Sequence, residues 1–211
     1  MMIYDDISAA LQKGRRKDVE ALIQQAIDDK LPPKDILNKG LLAGMDIVGE
    51  KFKNNELYVP DVLVAARAMN AGTALLKPLL AEAGVESIGK VVIGTVLGDL
   101  HDIGKNLVKM MMEGKGFEVI DLGVNVSAEQ FVQSAIEHDA EIIACSALLT
   151  TTMGEMANVV KVATEKGIRD KVTIMIGGAP VNEAFKISVG ADIYTPDAAS
   201  AAEEAAKVVL N

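Results

Sequence analysis

Short apolar runs alternate with stretches of helical periodicity from residue 89 to the end of the chain. The runs lie at 90–95, 117–121, 142–145, 172–176 and 192–194, and helical patterns follow at 103–115, 127–138, 152–166, 181–188 and 198–210. Apolar runs of this length, rich in Val and Ile and bounded by glycine or polar residues, are typical of buried strands. Their alternation with helices predicts an α/β fold with a parallel sheet and right-handed crossovers.

The first 83 residues carry helical periodicity throughout. Apolar positions within 3–11, 19–27, 36–52 and 62–76 suggest four helices, separated by Gly14, by Pro32-Pro33 and by a polar turn at 53–56. Four helices with short connections predict a small antiparallel bundle. A glycine-bracketed segment separates the two patterns. We therefore expect a helical domain at 1–84, a linker and hinge at 84–89, and the α/β domain at 89–211.

The composition restricts the partners and the compartment. The chain has a net charge of −9 and only 3% aromatic residues, so it lacks the cationic patches and stacking platforms that bind nucleic acid. The single cysteine, Cys145, excludes an intrachain disulfide and lies in a run typical of a buried strand. No signal peptide or membrane-spanning run is apparent. We expect a cytoplasmic protein without nucleic-acid or membrane partners.

The loop after the first strand carries His101, one of two histidines in the chain. Asp99 is placed to hydrogen-bond one ring nitrogen, as carboxylates do for metal-ligating histidines, and Asp102 fits the N-cap of the next helix. One histidine does not hold a bare zinc ion, which needs four ligands. A metal at His101 would arrive with its other ligands, as in a macrocycle. The alternative is an ordinary loop histidine at a helix start.

Two further loops follow strands at the same predicted edge of the sheet. Residues 146–152 are rich in hydroxyl groups, and Gly177-Gly178-Ala179-Pro180 is built from small residues. Because parallel strands end side by side, these loops and the His101 loop predict a slot that a ligand could enter. Glycine-rich phosphate-loop patterns are absent at these turns, which disfavours an ordinary dinucleotide or nucleoside triphosphate.

Together, Asp99-x-His101-x-x-Gly104, Ser146-x-Leu148 and Gly177-Gly178 resemble the cobalamin-binding signature of base-off, histidine-on B12 proteins. The whole chain is similar to the corrinoid proteins of methyltransferase systems and to the matching module of cobalamin-dependent methionine synthase. That resemblance implies a four-helix cap followed by a flavodoxin-like, Rossmann-like domain with a five-stranded parallel sheet, and cobalamin or a related corrinoid as cofactor.

The resemblance assigns roles residue by residue. It makes His101 the lower axial cobalt ligand and Asp99 its hydrogen-bond partner, while Thr152 stands where methionine synthase has a serine that extends this relay. Residues 52–62 resemble the part of the family cap that covers the corrin, although their spacing also fits ordinary bundle core. The other expected cofactor-binding residues are Asp102, Ile103, Gly104, Ser146, Leu148, Thr150, Gly177 and Gly178, with Phe52, Val59 and Val62 in the cap.

The resemblance also implies a methyl carrier. The sequence offers no evident acid, base or nucleophile for a substrate, so a non-catalytic or co-catalytic subunit is expected. One methyltransferase would load Co(I) from methanol, a methylamine, a betaine or a methoxylated aromatic compound. A second would pass the methyl group from methyl-Co(III) to tetrahydrofolate or coenzyme M, and a reductive activase is a further possible partner.

Three alternatives remain at this point. A B12-dependent sensor would pair a similar cap and cobalamin domain with a DNA-binding domain, for which this acidic chain has no room before the cap. The small subunit of an adenosylcobalamin mutase would resemble residues 88–211 but needs no helical cap. The third alternative is a flavodoxin-like domain with no corrinoid, for instance a flavin or signalling module, which would not bind added cobalamin.

Overall fold

The computed structural model describes residues 2–210. These residues form two compact units. One contains the residues up to Ser87 together with Gly114–Gly116, and the other contains Ile88–Glu113 and the residues from Phe117 onward. Residues 83–89 lie in no helix or strand. Among the described residues, no helix combines the length and the apolar composition of a membrane-spanning segment.

The first unit is helical, as predicted. Its helices are α1 (Met2–Gln12), α2 (Arg16–Asp28), α3 (Pro33–Asp35), α4 (Ala43–Lys53) and α5 (Val59–Glu82). A π-helical stretch, Ile36–Leu42, joins α3 to α4, so the third predicted helix is one helical segment with two hydrogen-bonding patterns. The apolar spacing did not indicate this wider turn. Gly40 within it permits a close approach to α1, because a Cβ there would lie 3.0 Å from Ile7 Cγ2.

The second unit contains the predicted five-stranded parallel sheet. Its strands are β1 (Lys90–Thr95), β2 (Glu118–Asp121), β3 (Ile142–Ser146), β4 (Thr173–Gly177) and β5 (Ile193–Tyr194), in the spatial order β2-β1-β3-β4-β5. This is the flavodoxin-like order. The central strands are buried on both faces, which explains why they read as continuous apolar runs rather than alternating ones.

Helices cover the sheet at nearly the predicted positions: α6 (Ile103–Gly114), α7 (Ala128–His138), α8 (Glu155–Glu165), α9 (Glu183–Val189) and α10 (Ala198–Leu210). The expected capping box opens α7, since Ser127 and Gln130 exchange hydrogen bonds between side chain and backbone. Helix α8 begins later than the predicted residue 152, because residues 150–154 form turns instead. A short 3₁₀ helix, Arg169–Lys171, was not predicted.

Cys145 lies in β3 and is 3% exposed. Burial raises the pKa of its thiol to about 12. The thiol is therefore protonated at neutral pH, and Cys145 is a core residue rather than a nucleophile, in agreement with the sequence reading.

The strand order places a topological switch point between β1 and β3. The chain leaves β1 toward β2 on one side and reaches β3 on the other, and open α/β sheets bind their ligands in a crevice at the carboxyl ends of the strands at such a point. The loop with His101 and the hydroxyl-rich loop at 146–152 flank this crevice.

Candidate functional site

The chain reverses sharply where β1 ends. Asp99 donates its backbone N–H to the carbonyl of Val96 at 3.1 Å, which closes a four-residue turn. Gly98 is the third residue of this turn and has φ +80°, a conformation that glycine adopts without strain. The turn directs Asp99 into the protein and leaves His101 at the rim of the crevice.

Asp99 is fully buried and accepts five hydrogen bonds. Its Oδ1 accepts from the backbone N–H of His101 at 3.1 Å and faces His101 Nδ1 at 2.7 Å. Its Oδ2 accepts from the backbone N–H groups of Leu148 at 2.8 Å and Leu149 at 3.2 Å, and from the Thr152 hydroxyl at 2.8 Å. The loop after β3 thus binds one carboxylate oxygen and His101 binds the other.

These donors keep Asp99 ionised. Burial acts to raise the pKa of the carboxyl group, but the hydrogen bonds from His101, Leu148 and Thr152 outweigh it and hold the pKa well below its usual range. None of the five hydrogen bonds comes from lysine or arginine. Among the described residues, the imidazole is therefore the one titratable group that hydrogen-bonds this buried negative charge.

The contact with Asp99 fixes the tautomer of His101. An ionised carboxylate only accepts hydrogen bonds, so the proton of the neutral ring lies on Nδ1. The lone pair of Nε2 is then available to a metal. The His101 side chain is 50% exposed, whereas Asp99 has no exposed side-chain surface, so the ring connects a buried carboxylate to the protein surface.

Glycines near the crevice have two different roles. A Cβ at Gly104 or at Gly177 would meet nothing within 4 Å, so open space lies beside both residues. Gly178 has φ +127°, and a Cβ there would lie 1.8 Å from the carbonyl oxygen of Ala147. Only glycine fits at 178, and it lets β4 end tightly against the chain that leaves β3.

Comparisons with known proteins show the family to which the chain belongs. A family model described as a B12 binding domain matches residues 89–206, and a second model with the same description matches residues 3–77. The chain belongs to the B12-binding corrinoid proteins.

Relatives of this corrinoid protein match it over nearly its full length. A corrinoid protein of Desulfitobacterium hafniense (strain Y51) is 40% identical over 99% of this chain and 98% of its own length. The dimethylamine corrinoid protein of Methanosarcina barkeri is 40% identical over 98% of this chain and 97% of its own. The crystal structure of the methanol:cobalamin methyltransferase complex from M. barkeri contains a chain that matches with a TM-score of 0.90 and 30% identity, covering 100% of this chain and 80% of that one.

The residues present fit a corrinoid. A corrinoid whose ring fills the other cobalt positions needs one protein donor, an apolar surface and space for its tail. Nε2 of His101 would be that donor, and open space adjoins Gly104 and Gly177. The apolar surface is provided by exposed side chains close to His101 in sequence or in the loop that binds Asp99, namely Leu97, Leu100, Ile103, Leu148 and Leu149.

The remaining predicted residues of the α/β unit lie on the same loops. Asp102 occupies the N-cap position of α6, where its carbonyl accepts the Asn106 N–H at 2.8 Å. Its carboxylate accepts from the Asn106 side chain at 3.0 Å. Ser146 ends β3, and Thr150 is exposed in the following turns. Their contacts with the corrinoid stay predictions.

The predicted cap residues lie in the helical unit. Phe52 is in the last turn of α4 and Val59 is the first residue of α5, and both are partly buried. Val62 is fully buried, as a core residue of the bundle would be. The proposed contact of these three residues with the corrin stays a prediction.

Three residues of the site were not predicted from the sequence. Leu149 donates its backbone N–H to Asp99, and Thr95 donates its hydroxyl to the carbonyl of His101 at 2.9 Å. Asn125 accepts from the Gly98 N–H at 2.7 Å and donates its own N–H to the Asp99 carbonyl at 3.0 Å. Asn125 has φ +56°. The segment Gly123-Val124-Asn125 could have indicated this, because glycine and asparagine favour left-handed backbone.

A second carboxylate lies at the end of the neighbouring strand β2. Asp121 pairs with Lys105 at 2.6 Å and Lys109 at 3.2 Å, and it accepts the Gly123 N–H at 2.9 Å. The Lys105 side chain is only 2% exposed. Burial acts to raise the pKa of Asp121, but Lys105, Gly123 and Lys109 together lower it.

Proposed function

We propose that this corrinoid protein binds its cofactor in the base-off form, with Nε2 of His101 as the lower axial cobalt ligand, and that it carries methyl groups between two methyltransferases. The observation that supports this most directly is the half-exposed imidazole bound through Nδ1 to the buried Asp99 carboxylate, which leaves Nε2 outside that contact. The bound corrinoid supplies a cobalt centre that accepts and releases a methyl group.

The chain's own part in this reaction is to control one proton. While Nε2 is bound to cobalt, Asp99 holds the proton on Nδ1. An imidazole not bound to the metal would be able to take up a second proton at Nε2, and the charge of Asp99 would stabilise the resulting imidazolium. The donors from Leu148, Leu149 and Thr152 limit how much Asp99 favours that cation, since they already stabilise its charge. Ligation and proton uptake are thereby coupled.

The two methyltransferases supply the substrate sites. One takes the methyl group from a donor and the other passes it to tetrahydrofolate or a thiol such as coenzyme M, while a reductive activase restores the cofactor after oxidation. The complex between a matching chain and a methanol methyltransferase supports the first partner. We propose a methylated amine as the donor, because the dimethylamine corrinoid protein is 40% identical and the matching chain of the methanol system 30%.

Ligation is tested by loading apoprotein labelled with nitrogen-15 with hydroxocobalamin, reducing it to Co(II) and recording its electron paramagnetic resonance spectrum. A protein nitrogen on cobalt splits each cobalt line into a doublet, whereas the nitrogen-14 base of the cofactor gives a triplet. We expect a doublet in the wild type and in His138→Ala, the control at the other histidine, but not in His101→Ala. A triplet in the wild type would exclude the base-off, histidine-ligated form.

The carrier role is tested by stopped-flow spectroscopy of the reduced holoprotein. Dimethylamine, trimethylamine and methanol are each supplied with the methyltransferase of the corresponding system. Rapid formation of the methylated cofactor spectrum with an amine system is the expected result. Methylation by the methanol system alone would overturn the choice of donor, and no methylation in any system would overturn the carrier role.

A further inference from the structure

His101 lies in a loop with little regular structure to hold it. Residues 99–102 belong to no helix or strand, and the neighbouring Leu100 is exposed. Both backbone polar groups of His101 are bound by side chains. Its N–H donates to the Asp99 carboxylate, and its carbonyl accepts from the Thr95 hydroxyl at 2.9 Å.

Thr95 is held in place by the sheet in which it lies. It is the last residue of β1 and is fully buried. Its backbone N–H donates to the Gly123 carbonyl at 2.9 Å, and its own carbonyl accepts the Val126 N–H at 3.0 Å. Thr95 is also paired with Ser146 of β3. Through this hydroxyl, the position of the His101 backbone is tied to that of strand β1.

We propose that Thr95 is a positioning residue for the axial ligand, whose hydroxyl holds the His101 peptide so that Nε2 meets cobalt while Nδ1 stays on Asp99. This inference rests on the proposed function. Asp99 Oδ1 faces Nδ1 and accepts the backbone N–H of His101, but because a single oxygen makes both contacts, the residue could still pivot about it. The bond from Thr95 to the His101 carbonyl removes the pivot, because it fixes the backbone from which the side chain extends.

Two pairs of variants isolate the hydroxyl. Thr95→Val keeps the volume and the branched shape of the side chain and removes the donor. Thr95→Ser keeps the donor and removes a methyl group, and Thr95→Ala removes both. The serine and alanine variants therefore differ in the hydroxyl alone, so the comparison stands even if the valine variant does not fold. Thr73→Val is a matched control, because the buried Thr73 hydroxyl has no hydrogen-bond partner among the described residues.

The readout is the Co(II)/Co(I) midpoint potential of the reconstituted protein, with the nitrogen-15 doublet as a second measure. Imidazole binds Co(II) but not Co(I), so weaker ligation raises the potential. Loss of one buried hydrogen bond, ~1 kcal/mol, corresponds to about fivefold weaker ligation, and at 59 mV per tenfold change the potential rises by about 40 mV. We expect this rise in Thr95→Val and Thr95→Ala, and none in Thr95→Ser or Thr73→Val.

The proposal is overturned if folded Thr95→Val stays within about 10 mV of the wild type, or if Thr95→Ser shifts as far as Thr95→Ala. The second outcome would assign the effect to packing by the methyl group. Failure of the proposed function is distinguishable, because the wild type itself would then lack the nitrogen-15 doublet. Thermal melting of each apoprotein separates a loss of stability from a loss of ligation.

Discussion

Asp99 and Asp121 lie at the carboxyl ends of neighbouring strands, and both have a lowered pKa although burial opposes it. They reach that state by different means. Asp121 is neutralised by two lysines, one of them almost fully buried. Asp99 receives N–H and O–H donors, and within residues 2–210 its only titratable partner is His101.

The difference teaches what each carboxylate can do. The charge of Asp121 is balanced within the protein, so this aspartate ties α6 to the end of β2. The charge of Asp99 is stabilised but not balanced by a cation, so in the proposed function it acts on the imidazole and, through it, on the cobalt. We therefore expect Asp121 to stabilise the fold and Asp99 to affect the metal ligand, and we expect a change in one to leave the role of the other intact.

The largest effect is expected for Asp121→Asn, which keeps the size of the side chain and removes its charge. Lys105 would remain as a buried cation without a counter-charge, and breaking a buried pair in this way costs about 3 kcal/mol of unfolding free energy. Urea denaturation of the apoprotein measures this. Lys109→Met is the matched control, because Lys109 is 31% exposed and pairs of this kind contribute about 0.5 kcal/mol.

The nitrogen-15 doublet should persist in Asp121→Asn once the variant is loaded with hydroxocobalamin. Its loss would mean that the two carboxylates form one functional unit, and the distinction between them would fail.

For Asp99→Asn we expect the main effect on cobalt ligation rather than on the free energy of unfolding. The three groups that donate to Oδ2 of Asp99 need an acceptor, so the amide oxygen of the asparagine takes that position. The amide nitrogen then faces His101 Nδ1 and donates to it. The ring proton then moves to Nε2, the nitrogen that must bind cobalt. Loss of such a partner weakens metal ligation about 10- to 100-fold. The midpoint potential of Co(II)/Co(I) should rise accordingly, by about 60–120 mV.

Asp99→Glu retains the charge but lengthens the side chain, so it serves as the comparison for Asp99→Asn. If the asparagine variant keeps the wild-type potential, the protonation state of His101 is not set by Asp99.

The parts of the site that were predicted are those that side-chain chemistry reveals. His101 and Asp99 stood out by residue type and spacing, Thr152 was assigned from the resemblance to methionine synthase, and the structure brings the three into one hydrogen-bonded chain. The bounds of β1 were predicted correctly because a strand buried on both faces reads as an unbroken apolar run.

The parts that were missed depend on backbone direction. Leu149 contributes an N–H, which no property of leucine indicates. The role of Thr95 depends on the path of the loop, which brings the carbonyl of His101, six residues later, within hydrogen-bond distance of the Thr95 hydroxyl. The π-helical stretch at Ile36–Leu42 has the same apolar composition as an α-helix and differs only in which carbonyl each N–H meets.

The smallest expected effect is a change with pH in the free energy of unfolding that is due to Asp121 alone. Its pKa is lower in the folded than in the unfolded state, so its contribution to stability is complete above the ordinary carboxyl value of ~3.9 and is lost as the pH falls toward the folded value. Asp121→Asn lacks this contribution at every pH.

The difference in unfolding free energy between wild type and variant should therefore be constant between pH 7 and 5 and should narrow below pH 4, by at most about 1.4 kcal/mol per pH unit. Urea titrations at several pH values measure it, and a gap that widens on acidification would show that Lys105, rather than the charge of Asp121, dominates the pair.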